Sequence, residues 1–282
     1  MNEIQETEYN FLSLGAGVQS TCLALMCKHG EIEPMPDAAI FADTKAEPDD
    51  VYRHLDWLES VLPFPLHRVS AGSLTDRITR AHQNKKGEFI LRKGIPVWVD
   101  TGTGKGGLTM RDCTGDYKII PIVKKQRELG KIKRGQKHAT VTAYIGISLD
   151  EVQRMKNSTE KWSVNRWPLI EKRMTRHDCK IWMKKNGYPE PPRSSCVYCP
   201  FHSDSEWRRL KTTDPKSFEE AVRVEKTMQE LHKAGRNSGT KGSLIGVPYL
   251  HQSCKPIDQI DFDAEKNQLD LFQNECDGMC GV

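Results

Sequence analysis

The sequence predicts an α/β protein, a mainly parallel sheet with helices on both faces, followed by a helical, cysteine-rich C-terminal region. Three observations predict it. Short apolar runs alternate with amphipathic stretches through the first half, the pattern of βαβ units. Gly15 and Gly17 interrupt the first apolar run where a strand hands over to a helix. From Thr175 onward the apolar spacing becomes helical.

Strands are expected near 9–14, 38–42, 65–69 and 140–147. A helix is expected over about 18–28, closed by Gly30. The next runs over 48–61, where Pro48 suits the first turn, Asp49 and Asp50 suit the positive end of the helix dipole, and Val51, Leu55 and Leu58 form a stripe. Residues 85–107 carry six glycines around a short apolar patch at 95–99 and read as an insertion or lid. The TGTGKGG within it has the composition of a phosphate loop, but no strand leads directly in and no strong helix follows. In TRHDCKIWMKKNG, Thr175 is a candidate N-cap, Asp178 lies three residues on, and Gly187 is a stop. A cysteine-bearing loop, PEPPRSSCVYCPFH, precedes a long helix over about 215–233. These elements divide the chain into an α/β unit, 1–170, with 85–110 as an insertion or lid, and a cysteine-bearing C-terminal region, 171–282.

With 282 residues and 37% hydrophobic content the chain can bury a real core. It has no apolar run of the roughly 18–20 residues that span a bilayer, and its opening MNEIQETEYN is acidic and polar, so a cytoplasmic protein with no membrane partner is expected. Lys and Arg number 42 against 38 acids, so the net +4 identifies no partner. Residues 124–138, KKQRELGKIKRGQKH, are locally basic and fit either a phosphate backbone or a solvated loop.

Nine cysteines are many for a cytoplasmic chain. Cys22 and Cys27 fall in the first helix and read as core. Cys254 fits either class. Cys113, Cys179, Cys196, Cys199, Cys276 and Cys280 sit in polar or turn-rich contexts, where metal binding or thiol chemistry is the better use. CVYC, on a proline-bounded loop, places two soft ligands on one metal and is the strongest metal signal in the chain.

The strand-to-helix junction after residue 14 is a ready anion site, because backbone N–H groups and the helix dipole point there. Ser13, Gly15, Gly17, Ser20 and Thr21 supply small residues and hydroxyl donors. The spacing is neither that of Walker A nor the dinucleotide GxGxxG. GAGVQS resembles the PP-loop, SGGxDS, of the ATP pyrophosphatase and PAPS reductase superfamily, with Gln19 in place of its Asp and Gly15 in place of its first Ser. Further segments are similar to that superfamily in the same order. FADTKAEPDD resembles its DTG.E.P segment, with Asp43 and Thr44 at a strand end. RDCTGDYKIIPI resembles its CC...K..P segment, with Thr114 for the second Cys and with Arg111 and Lys118 as cations. IGISLDEVQRM is similar to its GxR...R segment, through Gly146 and Arg154, with Ser148 where an Arg is often found. NECDGMCGV resembles the tail that carries the reductases' nucleophilic cysteine. The likeness spans nearly the whole chain and is greatest to the PAPS-reductase-domain proteins common in phages and mobile elements.

The resemblance implies an adenine nucleotide alpha hydrolase-like fold and an enzyme that binds ATP or an adenylyl nucleotide such as PAPS or APS, with Mg2+ as a candidate companion. Its nucleotide would be held by Ser13, Gly15, Gly17, Gln19, Ser20, Thr21, Asp43, Thr44, Arg111 and Gly146. Lys118 and Arg154 would neutralise developing charge, and Cys276 would be the nucleophile. Cys113, Cys196, Cys199 and, in place of the missing ligand, Cys179 would hold a 4Fe-4S cluster. Zinc on Cys179, Cys196, Cys199 and His202 is the competing assignment. Three activities remain open. One is adenylation-dependent sulfur transfer to a nucleic acid, tRNA or DNA, from a sulfur donor. Another is reduction of PAPS or APS with a thioredoxin-like reductant. The last is a non-catalytic nucleotide-sensing or DNA-binding module.

Overall fold

A computed structural model describes residues 7–80, 82–83, 89–90, 94–102, 107–237 and 246–263. The chain runs β1 (Tyr9–Leu14), α1 (Val18–Lys28), β2 (Ala38–Ala42), α2 (Asp49–Val61), β3 (Leu66–Val69) and α3 (Leu74–Thr79). Short strands β4 (His82–Gln83), β5 (Phe89–Ile90), β6 (Trp98–Asp100) and β7 (Gly107–Leu108) follow. A π-helical stretch, Thr114–Ile119, runs into α4 (Ile120–Leu129), then β8 (Val141–Ile145), a 3-10 helix (Leu149–Arg154), β9 (Ser163–Arg166) and α5 (Pro168–Glu171). The rest is α6 (Arg176–Lys185), α7 (Asp204–Thr213), α8 (Pro215–Asn237), β10 (Val247–Tyr249) and a 3-10 turn, Ile257–Gln259.

The main sheet has the order β3-β2-β1-β8-β9, every pair parallel. β2 and β8 flank β1, so the strand order reverses beside the first strand, and the carboxyl ends of β1 and β8 bound the switch point where open α/β sheets take ligands. Alternation along β1 divides the core. Leu12 and Leu14 pack with α1, α2 and α6, while Phe11 packs with Ile122 of α4 and with Trp162. α1 is buried on nearly every side, from Val18 to Cys27, and so lacks a polar face. α6 begins with the expected capping box: Asp178 N donates to Thr175 Oγ1, and Thr175 N donates to Asp178 Oδ2.

A second core joins residues far apart in sequence. Ile95, Val97 and Val99, Tyr117, Tyr198, Trp207 of α7 and Val224 of α8 share it. The apolar patch inside the glycine-rich stretch is therefore structural: β6 pairs with β7 on one side and with β10 on the other. Among the described residues no helix is long and apolar enough to cross a membrane.

Candidate nucleotide site at the sheet switch point

The loop between β1 and α1 folds on itself. Gly15 N donates to Ser20 Oγ at 3.1 Å and Ser20 Oγ donates to Gly17 O at 3.4 Å. Ala16 takes a left-handed φ of 58°, which tightens the turn. Gly17 is the N-cap of α1, without a side-chain cap and without an acid in the first turn. The N–H groups of an opening helical turn have no intrahelical acceptor, so this one presents donors and positive potential at the switch point. The loop after β8 closes against it. A Cβ on Gly146 would lie 2.9 Å from Ser20 N and Cα, so the contact exists because residue 146 has no side chain. The loop is buried, as is Ser13.

Two predicted ligands of the nucleotide are committed to the protein. Thr21 Oγ1 lies 3.0 Å from His54 Nε2, where burial lowers the His54 pKa to about 4 and keeps the ring neutral. Gln19, 1% exposed, is tied on both sides of its amide. Its Nε2 donates to Ser148 Oγ at 3.3 Å and to Glu151 Oε2 at 3.1 Å, and its Oε1 accepts from Arg176 Nη1 at 2.9 Å. Arg154 Nη1 donates to the other Glu151 oxygen at 2.6 Å. Burial raises the Glu151 pKa although Arg154 opposes it. An Asp at position 19 would accept from Arg176 but could not donate to Glu151, which gives a physical reason for an amide there.

A second cluster forms after β2. Asp43 Oδ1 accepts from Lys45 N at 2.7 Å and from Tyr52 Oη at 3.0 Å. Thr44 Oγ1 donates to Glu47 Oε1 at 3.2 Å and lies 3.3 Å from Cys196 Sγ. Cys196 Sγ and Lys118 Nζ each lie 3.9 Å from Glu47 Oε1. Burial, then the Glu47 charge, pushes the Cys196 thiol well above its ordinary range, while Lys118 pulls the other way. Cys113 is an electrostatic neighbour of Cys196. Lys118 lies on the π-helical stretch, an irregularity that recurs at functional sites. Arg111 stacks its guanidinium over Phe201, 4.8 Å from the ring centroid.

The proposed metal ligands are brought together only in part: Cys113 neighbours Cys196, and Cys199 N donates to Cys196 O at 2.9 Å, but Cys179 lies elsewhere. Cys179 is fully buried in the core of α1 and α6, where its free thiol neighbours that of Cys22 instead of joining CVYC. The polar reading of its context fails because helical periodicity turns position 179 inward, beside Leu169 and Met183. Cys199 packs with Phe201 and Leu108. His202 Nε2 sits 2.9 Å from Cys196 O, and burial lowers its pKa to about 4. Among the described residues no three His, Cys, Asp or Glu side chains are placed to hold a metal ion. These residues therefore fit neither the four-thiolate cluster nor the zinc set. Cys276 and Cys280 lie outside the described residues.

Sequence reasoning overlooked Glu47, His54, Glu151 and Arg176. Glu47 was legible as the Glu of DTKAEP, and Glu151 lies within IGISLDEVQRM without being one of its matched positions; His54 and Arg176 are recruited by the fold from segments without a motif. A cavity of about 770 Å3, lined by Asn10, Pro34, Tyr144 and Arg166 among others, lies beside the C-terminal end of α1, away from the switch point. A smaller one, about 170 Å3, adjoins Ser13 and opens between α4 and residues 156–160.

No protein-family model matches the chain, and no curated protein matches it. Among solved structures, the phosphoadenylyl-sulfate (PAPS) reductase of Candida auris, a phosphate complex, is similar at 14% identity and a TM-score of 0.41, over 67% of this chain and 77% of that one. Similarity at this level bears on neither the activity nor the ligands of this chain.

Proposed function

We propose that this chain is a PAPS-reductase-like enzyme that binds ATP or an adenylyl nucleotide with its phosphates on the opening turn of α1, and that it transfers sulfur to a nucleic acid after adenylating it. The observation that carries the reading is the uncapped, acid-free N-terminus of α1 at the switch point, locked by Gly146 and by the Gly15–Ser20 bond. Asp43 and Thr44 stand at the end of the neighbouring strand. Lys118 and Arg154 supply the positive charge, which Glu47 and Glu151 hold in place until an anion competes for it. In the reaction an acceptor oxygen attacks the α-phosphorus and pyrophosphate leaves; the terminal sulfur of a persulfide-class donor then displaces AMP to give a mixed disulfide, and a second thiol cleaves it, releasing the acceptor as its thiol and leaving the donor cysteine oxidised in a disulfide with that thiol. Calorimetry with ATP, paired with pyrophosphate release in the presence and absence of tRNA or DNA, tests this; release that needs no nucleic acid, or no binding at all, contradicts it.

A reductase reading rests on Cys276 in NECDGMCGV. Its thiolate would attack the sulfur of PAPS or APS, expel the nucleotide and leave a sulfonated cysteine for a thiol reductant to discharge as sulfite. Sulfite production that disappears in Cys276→Ser favours this reading over the first. Nucleotide binding without any turnover favours a sensor, in keeping with a Gln at position 19 that is fully engaged within the fold.

A further inference from the structure

The basic run noted in the sequence is displayed on a fixed surface. Lys124, Arg127, Lys131, Lys133, Arg134 and Lys137 are all exposed. Their backbone is ordered by specific bonds. Ile132 N donates to Arg127 O at 3.0 Å and Gln136 N to Lys133 O at 3.2 Å. The Gln136 amide donates to His138 O and Thr140 Oγ1, and Gly135 supplies a left-handed φ of 79°. A second segment is adjacent: Arg127 lies over the ring of Trp162, and residues 156–160 face α4 across the small cavity. That segment adds exposed Lys156 and Lys161.

Residues 120–138 and 156–161 together hold nine Lys and Arg against two carboxylates, in a chain of net charge +4, so the remainder is net acidic. Both carboxylates are engaged. Glu128 binds Lys125 at 2.7 Å, and Glu160 accepts from Trp162 Nε1 at 2.6 Å. A merely solvated face would carry interspersed signs. This one is predominantly positive, and it occupies one end of a helix whose other end leads to Lys118.

We infer that this face binds the phosphodiester backbone of a nucleic-acid duplex, and that the duplex lies along α4 toward the switch point. The inference rests on the proposed nucleic-acid acceptor and names the surface that would hold it. At ~1.5 Å per helical residue, Lys118 and Gly130 are roughly 18 Å apart. At about 3.4 Å per base pair, a duplex seated on the basic face reaches the Lys118 end within roughly five base pairs.

The test is fluorescence anisotropy of the full chain with a labelled 24-base-pair DNA duplex and the matching RNA duplex, over a salt series. Binding of either duplex with a log–log salt slope of about −4 is expected. Lys131→Glu combined with Lys133→Glu and Arg134→Glu is expected to weaken binding at least 30-fold and to flatten the slope by about three. Lys184→Glu with Lys185→Glu, on α6 across the sheet, is expected to change it less than twofold. The inference is overturned if neither duplex binds, if both variants lose affinity equally, or if the chain binds phosphatidylserine vesicles and no duplex. Nucleotide affinity measured on the unaltered chain separates the two readings. Duplex binding without ATP binding removes the proposed enzyme and leaves this surface; ATP binding without duplex binding removes the surface alone.

Discussion

Gln19 Nε2 donates to Glu151 Oε2 across 3.1 Å, joining the first turn of α1 to the 3-10 helix after β8 inside the protein. The bond holds a buried carboxylate that Arg154 also binds, while Arg176 holds the other end of the same amide. Replacing Gln19 with Glu or Asp sets two carboxylates against each other and removes the donor. We expect Gln19→Asp, which restores the acid of the superfamily loop, to lose about 2–3 kcal/mol in urea unfolding and to gain no pyrophosphate release. A stable, more active Gln19→Asp would show that the amide is not structural.

Gly146 touches Ser20 so closely that any side chain must displace backbone. Gly146→Ala is expected to cost about 1–3 kcal/mol of stability and to weaken ATP binding at least tenfold. Calorimetry at a temperature where the variant remains folded separates the two effects.

Lys118 and Glu47 form an ion pair that is almost wholly buried, beside the Cys196 thiol. Lys118→Met leaves the carboxylate without its cation and is expected to cost about 3 kcal/mol, of which Lys118→Met with Glu47→Gln recovers most. A double-mutant cycle in chemical denaturation measures the coupling. Additive losses would mean that the pair contributes nothing.

Two buried histidines set the response to acid. His54 and His202 both have pKa values near 4 in the fold, lowered by burial, against about 6.5 unfolded. Because the unfolded chain binds protons first, their stabilising contribution is full above about pH 6.5 and falls as pH drops toward 4. At pH 5 the loss is about 2 kcal/mol for each ring. The raised pKa values of Glu151 and Glu225, both set by burial, act in the opposite sense, because these folded carboxyls bind protons before the unfolded ones do as pH falls. Unfolding free energies from pH 8 to 5 should therefore fall, and His54→Gln should flatten the profile by about half. An unchanged slope in His54→Gln would place its pKa near that of the unfolded chain.

Much of the sheet was legible because its signals are local. β1, α1 and β2 fall where apolar runs and glycine punctuation place them, and the capping box at Thr175 marks the start of α6. α7 and the small sheet of β6, β7 and β10 were not legible, since each gains its burial from partners distant in sequence, such as Val99 with Pro248. At the candidate site, the order of motifs singled out the loop, Asp43, Thr44 and Lys118 as proposed ligands. It did not reveal that Gln19, Ser148, Glu151, Arg154 and Arg176 share one network, because three separate segments supply it. Cys179 misled for the converse reason. Its sequence neighbours are polar, yet helical geometry points it toward Cys22.

The measurement that tests the central claim most directly is hydrogen–deuterium exchange of the full chain with and without saturating ATP. Protection is expected in peptides covering residues 13–21 and 43–48, together with 145–154. Protection confined to peptides around Pro34, Tyr144 and Arg166, which line the 770 Å3 cavity, or no change with ATP, would contradict the claim that adenine-nucleotide phosphates rest on the opening turn of α1.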